Sequence, residues 1–333
     1  MWGRVRATHI HFHVQFILCA MFIDGLYTCD CDVRGIQLLP NLTEIYLLMF
    51  EDDIALIADT VVGLQRQLKG LNDYCQRSKL VVNIRKTKIM VFGRGGALAR
   101  SEKWTFNHCK IEVINGFTYI GLLFTNILSM YQITDAMSGK AKKALNCLFN
   151  SLHQFPCLSY STFFKLIDSK IAPIMLYGSE PWGLKNVACI GNVHIYACKR
   201  FLNVHTTCMW CNDAILGDLG RYPMYMLAAK RCLKYWLRLL KMSGHRYVKI
   251  CYDMLVHYDN IGYNNWVSDI RVHLYQNGFG YIYIWETREE FNHNLFYLNM
   301  YKDQNTNIFS SGSLSVLNPA NCFITVTINW HMM

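Results

Sequence analysis

The sequence is poor in charged residues, above all in acidic ones, and it has no long apolar run. Charged residues make up 17% of the 333 positions and hydrophobic residues 52%. This balance excludes wholesale disorder and is typical of a chain with a packed core. No apolar run approaches the length of a membrane-spanning helix, so we expect no membrane partner.

A regular cysteine spacing and a clear signal peptide are also missing. The fourteen cysteines are scattered along the chain. The apolar stretch Phe16-Ile-Leu-Cys-Ala-Met-Phe22 is short and runs directly into Ile23-Asp24, which argues against a secretory signal. We therefore expect reduced thiols, no disulfide framework and an intracellular protein, with the nucleus and the cytoplasm both open.

Acidic residues are scarce in two stretches that are rich in lysine and arginine. Between Val61 and Arg100 nine basic residues accompany a single acid, Asp73, and between Arg221 and Ile250 eight basic residues accompany none. Such concentrations of positive charge favour an anionic partner, most simply nucleic acid. Two solvated basic faces are the alternative interpretation, and the sequence leaves both open.

The most informative stretch, residues 47–59, places two adjacent acids inside an apolar run. Asp52 and Asp53 separate Leu47-Leu-Met-Phe50 from Ile54-Ala-Leu-Ile-Ala58, a pattern that predicts strand, tight turn and strand. A carboxylate buried between apolar strands is unfavourable unless positive charge compensates it. A divalent metal carrying a phosphate provides such compensation, whereas a solvated hairpin tip needs none. Both interpretations stay open at this point.

Local patterns predict an α+β chain in which a short antiparallel sheet with one helix precedes a mostly helical region. Asp59 or Thr60 can cap the first helix, which begins at Val61 and continues to about Cys75. Short strands are predicted at 80–83, 87–92, 110–114, 117–124 and 322–328, and helices at 136–152, 160–177, 187–203 and 224–242. The aromatic tract 278–285 favours a buried strand or a partner patch over a base-stacking surface.

Several segments follow one another in a recognisable order. They are Phe50-Glu-Asp-Asp-Ile-Ala-Leu-Ile-Ala58, an amphipathic helix, Leu80-Val-Val-Asn83, Lys86-Thr87, Met90-Val-Phe92 and Phe117-Thr-Tyr-Ile-Gly121. This order resembles the later part of the palm in reverse transcriptases of non-LTR (LINE-type) retrotransposons, and the last segment is similar to the strand that supports the primer end. The resemblance covers residues 21 to about 285.

The resemblance also implies a domain organisation. Residues 21–125 correspond to a partial palm that contains the Phe-Glu-Asp-Asp hairpin, and residues 126–243 to a helical, thumb-like region. Residues 1–20 are then an unrelated leader, and residues 244–333 are a C-terminal region with an irregular tail.

The family's reaction is nucleotidyl transfer by two magnesium ions, with RNA as template and DNA as primer. Carried over, the resemblance makes Asp52 a metal ligand and Asp53 its neighbour in the metal site. Lys86 takes the place of the palm lysine that assists the leaving phosphate. Contacts to nucleic acid are implied for the basic segments and for the primer-supporting strand, at Arg85, Lys88, Tyr119, Gly121, Lys230, Lys234, Arg238 and Lys241.

Two departures from the family argue against catalysis. Glu51 stands where the family usually has a small residue, and the aspartate of an earlier palm strand has no counterpart among the fifty residues before the acidic cluster. Loss of half the metal ligands lowers the rate about a thousandfold or more. We therefore expect a truncated, inactive copy whose sheet has an unpaired edge. A non-enzymatic nucleic-acid binder and a pseudogene product without a stable fold are the alternatives.

A second set of residues nominally offers the four ligands of a structural zinc site. These are Cys198, His205, Cys208 and Cys211. Their spacing matches no zinc module, and in a chain with fourteen cysteines a chance arrangement is the favoured interpretation. The sequence leaves zinc binding open.

Overall fold

The chain forms two compact units. The computed structural model describes residues 35–38, 44–50, 53–93, 103–152, 158–185, 187–205, 211–284 and 324–331. The first unit comprises residues 1–128 and 318–333 and contains the sheets, and the second comprises residues 129–317 and is helical where it is described. Helices and short sheets together give the mixed architecture that an α+β prediction requires.

The first unit is built from short strands around one long helix, α1, which spans Val61–Ser78. Its described strands are β1 (Ile36–Gln37), β2 (Glu44–Ile45), β3 (Leu47–Phe50), β4 (Asp53–Ala58), β5 (Val81–Val82), β6 (Lys88–Val91), β7 (Thr105–Phe106), β8 (Cys109–Lys110), β9 (Glu112–Val113), β10 (Gly116–Tyr119), β11 (Leu122–Thr125) and β12 (Ile324–His331). The main sheet has the order β3-β4-β12-β6-β9, and β5 also pairs with β12. The pairing of β6 with β9 is parallel, and the other pairings of this sheet are antiparallel.

The segment that contains the acids folds as the two strands that its pattern predicts. β3 and β4 pair antiparallel, with Leu47 opposite Leu56 and Phe50 opposite Asp53, so residues 51–52 connect them. Directly paired residues share a face of the sheet. Leu47 and Leu56 belong to the buried core, whereas Phe50 is 51% exposed and lies with Asp53 on the opposite face.

The C-terminal strand β12 pairs with this hairpin along β4, whereas β3 is the terminal strand of the described order, so the expectation of an unpaired sheet edge stays a prediction. β12 runs antiparallel to β4, from Ile324 opposite Ala58 to Asn329 opposite Asp53. Its other edge pairs with β6 and β5. The strand is therefore central, and the end of the chain completes the sheet that the first half begins. The tail that the sequence analysis placed with the C-terminal region supplies a strand to the first unit.

Helix α1 covers the inner face of this sheet. Thr60, one of the two predicted caps, accepts a hydrogen bond from the Gly63 N–H at 3.1 Å through its Oγ1. The helix ends at Lys79, whose φ of 55° is the left-handed conformation common at this position. Its buried residues are Leu64, Gln67, Leu68, Gly70, Leu71 and Cys75. Because this face is buried, the basic side chains Arg66 and Lys69 remain exposed on the outer side of the helix.

Residues 117–124 form the hairpin β10–β11, whose turn contains a disfavoured residue. Tyr119 pairs with Leu122, so Ile120 and Gly121 are the two turn residues. Their φ angles of 46° and 77° match the pair of positive values in a type I′ turn. Glycine adopts this conformation freely, but a β-branched isoleucine does so only under strain.

The described part of the second unit is helical, and the periodicity predicted the helices at 130–152, 160–175, 188–201 and 224–240 but not those at 212–218, 247–260 and 266–276. Its helices are α2 (Met130–Leu152), α3 (Tyr160–Leu166), α4 (Ala172–Met175), α5 (Ala188–Phe201), α6 (Asn212–Asp218), α7 (Met224–Leu240), α8 (Tyr247–Asn260), α9 (Trp266–Gln276) and α10 (Gly280–Ile284). Residues Ile167–Ile171 form a π-helical segment between α3 and α4. Of the two interpretations of 278–285, the buried strand is wrong, since residues 280–284 are helical and pack against α9, and the partner patch stays a prediction.

Helices α7, α8 and α9 share a core centred on a tryptophan. Trp236 is fully buried, and its Nε1 donates a hydrogen bond to the Tyr252 hydroxyl at 3.2 Å. Leu233 on α7 and Ile270 on α9 are also fully buried in this cluster. The apolar stripe of α7 therefore faces the core, as its spacing predicts.

The sequence also predicted no membrane-spanning helix and no disulfide framework. Among the described helices, none is long and apolar enough to cross a membrane. No disulfide joins the cysteines that the structure describes, and Cys109, Cys147 and Cys211 are exposed thiols.

We predict that Ile120→Asn stabilises the first unit by about 0.5–1 kcal/mol, because asparagine tolerates positive φ. The Ile120 side chain is already 37% exposed, so its removal forfeits little burial. Gly121→Ala is the opposing control and is expected to cost about 1–2 kcal/mol, because it places a Cβ in the left-handed region. Urea unfolding measures both changes. A destabilised Ile120→Asn protein, or a stabilised Gly121→Ala protein, contradicts the type I′ turn.

Candidate functional site

The acids predicted as metal ligands lie at the start of β4. Asp53 is the first residue of that strand and is half-buried. Asp52 and Glu51 lie outside the described residues. Phe50 and Ala55 share the face of the sheet that Asp53 occupies, because Phe50 pairs with Asp53 and Ala55 is two residues along the same strand. The outer face at this end of the sheet therefore combines an acid with apolar neighbours.

Tyr119, predicted from a distant segment, lies close enough to Asp53 to be affected by its charge. Partial burial raises the pKa of the Tyr119 phenol, and the negative charge of Asp53 raises it further. A raised pKa keeps the hydroxyl protonated and able to donate a hydrogen bond. The ring also contacts Phe124 edge-on, with 6.4 Å between the ring centroids. Two motifs separated along the sequence thus meet in the first unit, and Gly121 forms the turn beside Tyr119.

Arg85 and Lys86 are exposed in the loop between β5 and β6. Asn83 organises this loop, since the Lys86 N–H donates to the Asn83 Oδ1 at 3.2 Å and the Thr87 hydroxyl donates to its carbonyl at 2.9 Å. Because the loop leads into the N-terminal end of β6, its place in the sheet follows from the pairing of that strand. The loop therefore presents two exposed cations in a defined turn rather than on a long free segment.

The strand register brings this loop to the same end of the sheet as Asp53. Thr327 of β12 pairs with Lys88, and Asn329 pairs with Asp53. The N-terminal ends of β4 and β6 therefore lie side by side across β12, roughly 10 Å apart at two strand spacings. Lys86 precedes β6 by two residues, within the turn that leads into this end of the sheet.

Lys88 lies on the same face of the sheet as Asp53 but is already paired. Its Nζ forms a salt bridge with the Glu112 carboxylate on the neighbouring strand β9. The lysine side chain is 22% exposed and the glutamate 65%. Glu112 offsets the charge of Lys88, so Arg85 and Lys86 are the stronger candidates for phosphate contact at this site.

The described residues do not amount to a magnesium site. Two-metal catalysis needs several carboxylates held together. Within the described part of the chain, no three His, Cys, Asp or Glu side chains form a group that could hold a metal ion. Asp53 is the described acid at this position, and the residue opposite it on β12 is Asn329, which carries no charge. We derive no reaction step through magnesium from this arrangement.

The basic stripe predicted at 230–241 lies on α7, in the second unit. Lys234 and Arg238 are exposed one turn apart, and Lys241 is exposed immediately after the helix. Lys230 is half-buried and therefore less available to a partner. This stripe forms a second basic surface, with three of its four predicted residues accessible.

Two residues at the sheet end have no place in the sequence predictions. Asn83 shapes the basic loop, and an asparagine just before Ile84-Arg85-Lys86 is a recognisable turn signal. Asn329 stands opposite Asp53 because strands from the two ends of the chain pair. No local pattern specifies that pairing.

A buried histidine in the second unit lies beside an ion pair. Arg221 donates to the Asp168 Oδ2 at 2.9 Å and also binds its Oδ1, and the Arg221 guanidinium carbon lies 4.7 Å from the Phe164 ring centroid. His194 is 1% exposed. Burial, assisted by the Arg221 charge, lowers the pKa of His194 to about 4. The imidazole is therefore neutral in the folded protein near pH 7.

The possible zinc ligand Cys198 belongs to the same cluster. Burial raises the pKa of its thiol to about 12, against the opposing influence of Arg221. Cys208 lies outside the described residues, and Cys211 is exposed at the start of α6. The chance interpretation of the cysteine spacing is consistent with this arrangement.

Comparison of the chain with protein-family models, with curated proteins and with solved structures finds no match. Its function has to be inferred from its own residues and their arrangement.

We predict that stability falls as the pH is lowered from about 6.5 to about 4. In that window the unfolded chain protonates His194, with its ordinary pKa of 6.5, whereas the folded protein keeps it neutral down to about 4. The contribution is therefore fully present above pH 6.5 and is lost as the pH falls towards 4. The slope is at most about 1.4 kcal/mol per pH unit for one histidine.

Urea unfolding of His194→Gln at a series of pH values tests this prediction. The free energy of unfolding of this variant is expected to fall less steeply as the pH is lowered, because one fewer proton is taken up on unfolding. His273→Gln is the matched comparison, because burial also lowers the pKa of His273 to about 4. An unchanged slope in both variants contradicts the assignment of neutral, buried imidazoles.

Proposed function

We propose that this chain derives from a non-LTR retrotransposon reverse transcriptase, and that it binds nucleic acid without polymerase activity of its own. In this proposal the first unit is the palm remnant and the helical second unit is thumb-like. The bound molecule is an RNA template paired with a DNA primer. The partner is held through its phosphates, so the interaction is expected to depend strongly on salt.

The observation that carries the proposal is that motifs separated in the sequence come together in the first unit. The Arg85–Lys86 turn leads into β6 at the same end of the main sheet as Asp53, and Tyr119 of the hairpin β10–β11 lies close enough to Asp53 for the carboxylate charge to raise its pKa. Such convergence supports a common site rather than an isolated solvated loop. The two exposed cations provide phosphate contacts, and the half-buried tyrosine provides a surface for a sugar or a base.

One feature of the sequence supports binding without polymerisation. Glu51 adds a third acid next to Asp52 and Asp53, which increases repulsion between like charges. The packed core, with Ile54, Leu64 and Ile89 fully buried, favours a folded product over the pseudogene alternative.

Binding to an RNA–DNA hybrid, followed by fluorescence anisotropy at several salt concentrations, tests the proposed surface. We expect the double variant Arg85→Ala, Lys86→Ala to bind about tenfold more weakly and to reduce the salt slope by about 1–2. The control, Arg66→Ala with Lys69→Ala, removes the same charge from the outer side of α1 and is expected to change affinity less than about twofold.

Lys234→Ala with Arg238→Ala tests the α7 surface in the same assay. Binding that does not weaken with salt contradicts a phosphate-based interface. Equal losses in the Arg85–Lys86 variant and in the α1 control contradict the assignment to this end of the sheet, because general electrostatic attraction then explains the affinity.

Primer extension with magnesium tests the proposed lack of polymerase activity. The 333-residue chain is expected to incorporate no nucleotide above the level of an Asp52→Ala variant. Magnesium-dependent incorporation that Asp52→Ala abolishes shows instead that the chain is a polymerase.

A further inference from the structure

The sheet of the first unit depends on a strand that follows the second unit in the sequence. β12 pairs with β4 along one edge and with β6 and β5 along the other. Residues 129–317, which form the second unit, separate it from the rest of the first unit. β12 therefore lies between β4 and β6 in the sheet, although it is far from both of them in the sequence.

The sequence of β12 matches its position on both sides. Its apolar residues alternate with polar ones at every second position: Ile324, Thr325, Val326, Thr327, Ile328 and Asn329. The register sets Val326 opposite Leu56 on β4 and Ile89 on β6, both of which are buried. The polar position Thr327 stands opposite Lys88, which is partly exposed. The register therefore places an apolar residue of β12 opposite two buried residues and a polar residue opposite a charged one.

We infer that the position of β12 is a strand-exchange site, and that its second occupant is β12 from another copy of this chain. Without β12, β4 and β6 both expose unpaired backbone along apolar strands, which is an aggregation-prone arrangement. A second copy supplies the same strand, with the same register and the same alternation. Exchange therefore preserves every backbone pairing of the sheet and yields a dimer at high protein concentration.

This dimer builds the candidate site from two chains. Asn329 of the partner subunit stands opposite Asp53 of the first chain, because the register is unchanged. The inference rests on backbone pairing and does not depend on nucleic-acid binding. Its failure therefore leaves the proposed function intact, and the converse also holds.

Crosslinking between register partners detects the exchange. An isotopically labelled chain with Ala55→Cys and an unlabelled chain with Thr327→Cys are unfolded together, refolded at high concentration and oxidised. These residues pair directly, and paired positions on antiparallel strands are about 4.5–5.5 Å apart between Cα atoms, within disulfide range. We expect a disulfide between labelled and unlabelled peptides, found by mass spectrometry in a species of dimer mass whose fraction rises with concentration.

Two controls make the result decisive. Leu48→Cys replaces Ala55→Cys in the first, because Leu48 pairs with Ala55 on the side away from β12 and so lies roughly 10 Å from Thr327. The second is one chain that carries both Ala55→Cys and Thr327→Cys. A disulfide within that chain, with no disulfide between chains in the mixture, overturns the exchange but leaves the pairing of β12 with β4 in place. No disulfide in either sample overturns both the register and the exchange.

Discussion

The pairing of β12 between β4 and β6 is the constraint on which the first unit depends. It joins the hairpin that carries the acids to the strand that follows the basic loop, and thereby places the N-terminal ends of β4 and β6 at the same end of the sheet. Without this strand the two segments are linked through helix α1 and the core beneath it.

Apolar burial, rather than ion pairing, stabilises this arrangement. Lys88 and Glu112 form a salt bridge on a partly exposed face, where such pairs contribute little. The interior beneath them is closed by side chains such as Ile54, Leu64 and Trp104, each 0% exposed. We therefore expect substitution of the exposed Arg85 and Lys86 to change nucleic-acid affinity without changing the free energy of unfolding.

Local patterns sufficed for the hairpin, the Thr60 cap and most helix positions, because these depend on neighbours a few residues away. They did not show that the strand Ile324–His331 belongs to the first sheet, since strand pairing over long sequence separations leaves no local signal. Nor did periodicity distinguish strand from helix at 278–285, where tertiary packing against α9 decides. The sequence therefore predicted individual residues of the candidate site, such as Asp53 and Tyr119, but not that they lie close together in the folded protein.

Under the proposed function, a remnant of a polymerase loses catalysis before it loses affinity, because the two properties depend on geometry to different degrees. Two-metal chemistry requires several carboxylates placed to a fraction of an ångström. Phosphate attraction requires only that cations such as Arg85 and Lys86 stay exposed on a common surface. A basic turn of this kind therefore supports binding without the precise placement of carboxylates that polymerisation needs.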